Sequence, residues 1–193
     1  MSVQSDVSAV TQSDIDRVKR EAEHAAYAIS SFLGIEERKP INIIIVGDGI
    51  VRLSGETILL PSLHVHKKQA DIVGMISRLL TKHSENKFFS IDLSVFFQNR
   101  FGEDHAFTIP TSEKLHQSAR GYKNQLMPIV ELVRDSGIFR QVDTNKRKVA
   151  FVQAGSFFEY LDWAYGGEKL KELHDSPNID YVGVYGKNLI ELD

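Results

Sequence analysis

Between residues 14 and 61 the hydrophobic pattern changes period once, and that change restricts the fold more than any other feature of the chain. Ile15, Val18, Ala22, Ala25, Ile29 and Phe32 recur every three or four residues, the spacing of one helix face. Ser13 and Asp16 form a capping-box pattern, and Gly34 can close the far end, so a helix is predicted over about 14–33. "INIIIV" (41–46) and "ETILLP" (56–61) then replace the helical rhythm with short, strongly apolar runs. They read as buried strands separated by a "GDG" turn and stopped by Pro61. One helix and so small a sheet cannot bury each other's apolar faces, so the remaining residues must complete the core.

Those remaining residues are patterned mainly as helices. From about 68 to 82, Ile72, Val73, Ile76, Leu79 and Leu80 form an apolar stripe, with Asp71, Gly74, Arg78 and Lys82 in a row on another side. A short helix is predicted over 90–102, capped by Ser90 and ended by Gly102. The stretch 103–122 is mixed and broken by Pro110. Helices follow over 124–135, with Pro128 near the first turn, and over 148–166 and "GEKLKELHD". The closing "PNIDYVGVYGKNLIELD" suits helix or strand. This order argues for an α+β fold rather than an alternating parallel sheet. Residues 1–12 are expected to be a frayed tail, and 13–193 one domain with an N-terminal α/β part (13–83) and a helical part (84–193).

Composition then narrows the functions. The net charge of −3 gives no electrostatic reason to expect nucleic acid. The basic run Lys146–Lys148 lacks interleaved aromatic residues and reads as a solvated helix start. The absence of cysteine removes disulfides, thiolate metal sites and thiol nucleophiles. No run is long enough to span a membrane, and "MSVQSDVSAVTQSD" is not an intact signal peptide. A cytoplasmic location is therefore the default expectation, with export open if a signal has been removed.

Few residues are arranged for chemistry. Gly47 and Gly49 do not make a dinucleotide loop, because Arg52 stands where the third glycine is needed. Ser156 follows a lone glycine inside an apolar helix and is no nucleophile elbow. In "LHVH", His64 and His66 would share a side of an extended segment and are weak metal candidates, opposed by Lys67 and Lys68. His83 is a weaker one, off the face that Arg78 occupies. His24, His105, His116 and His174 form no ligand pattern. Taken by itself, "GMISRLLTKHS" (74–84) is an amphipathic helix with a charged outer side.

Its surroundings say more. A helix ending in "FLG", then "KPINIIIV" and "TILLP", then "AGSFFEYLDWAYGGEKLKELHDS" and "VYGKNLIELD", is similar in order and local pattern to gluzincin-type (peptidase MA-like) zinc metallopeptidases. The resemblance covers about 14–193 and implies a zincin-like fold. That family carries His-Glu-x-x-His on a helix, because residues four apart share a face and can hold one zinc, and its third ligand comes from the next helix. By this resemblance the motif falls on Gly74, Met75, Ile76, Ser77 and Arg78, and the third ligand on Val95, with Phe96 where a glycine is usual. None of Gly74, Met75, Arg78 or Val95 can replace those ligands or the general base. The resemblance therefore implies a degenerate peptidase site, no cofactor, and a binding or regulatory module with a protein or peptide partner. Gly74, Met75, Arg78, Val95 and Gln98 would line the old cleft. Phe96 is the expected reason for Gly74, and Arg78 would hold the cleft's carboxylates or an anionic group. Two other readings are a hydrolase with a metal site rebuilt on His64 and His66, and a structural domain of a larger assembly.

Overall fold

The computed structural model describes residues 1–36, 40–68, 71–81, 87–102, 115–140, 143–176 and 178–193. In chain order these give β1 (Ser2–Ser5), α1 (Gln12–Leu33), β2 (Asn42–Val46), β3 (Arg52–Ser54), β4 (Thr57–Pro61), α2 (Ser62–His66), α3 (Ile72–Leu80) and α4 (Lys87–Phe101). Then follow α5 (Leu115–Gly121), α6 (Ile129–Arg134), a short 3-10 helix (Ser136–Arg140), α7 (Thr144–Tyr165), α8 (Gly167–Asp175), α9 (Tyr181–Tyr185) and α10 (Leu189–Leu192). The architecture is mixed α+β, with a four-stranded sheet and a predominantly helical remainder. No helix among the described residues is long and apolar enough to cross a membrane.

The sheet runs β1-β2-β4-β3, with β1, β2 and β4 parallel and β3 antiparallel on the edge. Alternation puts Ile43, Ile45, Ile58 and Leu60 on one face, all fully buried, and the register sets Ile43 beside Ile58 and Ile45 beside Leu60. The apolar face of α1 (Val18, Ala22, Ala25, Ile29, Leu33) belongs to the same core as those strand residues. That core extends through α3, α4, α7 and α8 to Leu192, so the N-terminal and C-terminal parts share it. Helix α4 buries side chains around much of its circumference, including Phe88, Phe89, Leu93, Phe96 and Phe97, which is the pattern of a central helix.

Several elements depart from expectation. The tail expected to fray contains β1, parallel to β2 from Ser2↔Asn42 to Ser5↔Ile45. Its residues are exposed or half-buried and only Val3 packs against the core, so it is held mainly by backbone pairing and shows no apolar alternation. Helix α1 begins two residues before the expected start, because Thr11 rather than Ser13 is the cap. The Thr11 hydroxyl accepts from the Asp14 amide at 3.2 Å, and the Asp14 carboxylate accepts from the Thr11 amide at 3.0 Å. Helix α4 begins at Lys87, so Ser90 lies inside it and caps nothing. The closing segment, open between helix and strand, is helical as α9 and α10.

The approach of α4 and α7 depends on Gly155. A β-carbon there would stand 2.6 Å from Val95 Cγ1 and 2.8 Å from Leu115 Cδ1. Gly155→Ala is therefore expected to lower stability by about 1–2 kcal/mol, the overpacking outweighing the gain of roughly 1 kcal/mol in helix propensity. Urea unfolding of the single variant and of Gly155→Ala with Val95→Ala measures this. A single variant as stable as the parent would mean that the helices part without cost.

Candidate binding cleft

Helices α3 and α4 are joined at the point where the glycine interrupts the apolar stripe. The Gly74 amide donates to Gln98 Oε1 at 3.0 Å, a buried bond between the two helices. A β-carbon at Gly74 would fall on the Asp71 carboxylate, one turn earlier. Asp71, not Phe96, is thus the reason for the glycine. Phe96 packs edge-on to Phe32 instead, with ring centres 6.1 Å apart.

Arg78 crosses from α3 to α4. Its Nε donates to Ser94 Oγ at 3.2 Å, and the Ser94 hydroxyl donates in turn to the Ile91 carbonyl. Two carboxyls feel its charge, half-buried Asp71 on the cavity wall and fully buried Asp92. Burial pushes Asp71 up to about 6, moderated by the Arg78 charge and then by the Gly74 amide. Burial raises Asp92 well above the ordinary carboxylate range, again moderated by Arg78. Asp92 is fully buried and its carboxylate has no hydrogen-bond partner among the described residues. Arg78 thus has a place near both carboxyls, yet it forms no ion pair with either within 4.0 Å.

A cavity of about 350 Å³ opens beside this arrangement. Met75 and Arg78 come to its wall from α3, Val95, Gln98 and Asn99 from α4, and Thr144, Arg147, Lys148 and Phe151 from α7. Ile50 and Val51, just before β3, and Phe139 complete the apolar part. Asp71 is the sole carboxylate on the wall among the described residues. Four of the five residues proposed from the sequence, Met75, Arg78, Val95 and Gln98, therefore share one cavity. Gly74 lies behind them, bonded to Gln98.

The histidine candidates do not come together in the same way. "LHVH" is helix α2, not an extended segment, so His64 and His66, two apart, point to different sides. Val65 between them is buried, and its carbonyl accepts from Arg17 Nη2 at 2.7 Å, which ties α2 to α1. The shared side on which a chelate depended is lost. His83 and His105 lie outside the described residues. No group of three or more potential metal ligands is found among the described residues.

Sequence reasoning missed Arg147 and Lys148 as cleft residues. They were read as a solvated helix start, and they do begin α7, half-buried where the helix faces the cavity. The sequence sets Asp71 in a row with Gly74 and Arg78, and helix packing brings it to the cavity wall. Asp92 carried a signal of its own, a single carboxylate within the apolar run "FFSIDLSVFF". Comparison of the chain with protein-family models, with curated proteins and with solved structures finds no match.

Proposed function

We propose that the chain is a zincin-like domain without peptidase activity that serves as a binding or regulatory module, its ligand held between α3, α4 and the start of α7. The observation that carries this reading is the shared cavity wall of Met75, Arg78, Val95 and Gln98. The family resemblance singled out these positions on two separate helices, and none of them bears a zinc ligand of the expected kind. The antiparallel edge strand β3 supports a peptide or protein partner. Ile50 and Val51 lead from the cavity into that strand, and an edge strand offers unpaired backbone groups to an extended chain.

The other readings have less behind them. A metal site rebuilt on His64 and His66 lacks the geometry it needs, because helix α2 turns the two apart. A purely structural domain asks for a broad apolar face and no concave site. The cavity argues against that. The test is metal content and cleavage. The full chain, produced with added zinc and dialysed without chelator, is expected to hold far less than one zinc per chain and to cleave no peptide. Stoichiometric zinc, or cleavage that a chelator abolishes, would overturn the proposal.

A further inference from the structure

We infer that the cleft binds an apolar group carrying one carboxylate, gripped by Arg78 with Arg147 and Lys148 beside it. This rests on the binding-module reading and specifies its ligand. The first argument is charge. Three cationic side chains and a single carboxylate, Asp71, line one cavity in a chain whose net charge is −3. Among the described residues none of the three cations forms an ion pair. Arg78 also has the form for the task. Ser94 holds its Nε, and among the described residues its two terminal nitrogens make no hydrogen bond. A guanidinium fixed at Nε with both ends uncommitted matches the two oxygens of a carboxylate.

The walls restrict the rest of the ligand. Ile50, Val51, Met75, Val95, Phe139 and Phe151 make most of the lining apolar, and at about 350 Å³ the cavity is at the small end of ligand sites. Polyphosphates and sugars would leave most of their polar groups unmatched against such walls. A metal cation would meet three positive charges. An apolar acid satisfies both surfaces. Two sources share that chemistry: a free medium-chain acid, and the apolar C-terminal residue of a peptide.

The experiment titrates octanoate against octanamide, and acetyl-Ala-Ala-Leu as acid against its amide, by calorimetry with NMR of the labelled Met75 methyl. Each cation makes a charge-assisted contact, so at least one acid is expected to bind about tenfold or more tightly than its amide. Arg78→Lys keeps the charge but loses the fork, and should weaken that acid by about tenfold. The double variant Arg147→Gln, Lys148→Gln removes charge at the half-buried start of α7 with little risk to folding, and should weaken it comparably. Preference for octanoate identifies a free acid, and preference for the peptide acid identifies a chain terminus. Acid and amide binding alike, or no movement of the Met75 signal with either acid, overturns the inference. In that case metal-free, non-cleaving protein leaves the zincin-like reading standing. Stoichiometric zinc overturns that reading whatever the acids do.

Discussion

Replacing Arg78 with alanine is expected to lower stability by about 1–2 kcal/mol at pH 7.5 and by less at pH 5. Arg78 and Asp71 are both half-buried and not in contact, so the loss is that of a charge interaction at a distance together with the Ser94 hydrogen bond. The cost passes mainly through Asp71. In the folded protein its carboxyl titrates at about 6, against an ordinary value near 3.8. Above that range Asp71 is a half-buried anion on the cavity wall, and the Arg78 charge offsets part of its desolvation. Below it the carboxyl is neutral and the guanidinium matters less. The sign for the parent follows from the same shift. The native state holds this proton more tightly than the unfolded chain, so Asp71 lowers stability as pH rises from about 4 through 6. Asp92, also raised, acts in the same direction.

The parent is therefore expected to be more stable at pH 5 than at pH 7.5, and Asp71→Asn should flatten that slope. Urea midpoints of parent, Arg78→Ala and Asp71→Asn at the two pH values measure this. An Arg78→Ala loss that is equal at both would show that the arginine acts by packing or through Ser94, not through the carboxyls.

Phe97→Ala should cost about 3–5 kcal/mol, the usual range for deleting a buried aromatic ring. Phe97 is fully buried and stands 5.3 Å from both Phe32 and Phe96 and 5.7 Å from Phe101, measured between ring centres. It thus joins α1 to the helix that carries Val95 and Gln98. Removing it leaves a void that rigid neighbours on two helices cannot fill. Urea unfolding with an unchanged slope is the readout, and a loss under about 1 kcal/mol would mean that this part of the core collapses to close the gap.

Elements whose own residues carry the reason for their shape were legible in advance. Helix α1 declares itself through its apolar face and Gly34, which has a left-handed φ of 67°. Strands β2 and β4 declare themselves through "NIIIV" and "TILLP". Where two local signals competed, the reading failed. "LHVH" alternates like a strand, yet Pro61 ends β4 at that point and Arg17 takes the Val65 carbonyl, so the segment turns as helix α2. Strand β1 was illegible for the opposite reason. Three of its four side chains are polar, Val3 being the exception, and its partner is forty residues away at Asn42, bound in part through the Ser2 hydroxyl.

The cleft divides along the same line. Period and residue type were enough to put Asp71, Gly74 and Arg78 on one side of a helix. That is a property of residues a turn or two apart, set by helix geometry alone. That Gly74 makes room for Asp71, that Gln98 reaches across to its amide, and that Arg147 and Lys148 line the same cavity as Arg78 depend on how α3, α4 and α7 pack. Helix packing is decided by the fit of side chains such as Val95 against Gly155, some sixty residues apart, and no local pattern encodes that fit.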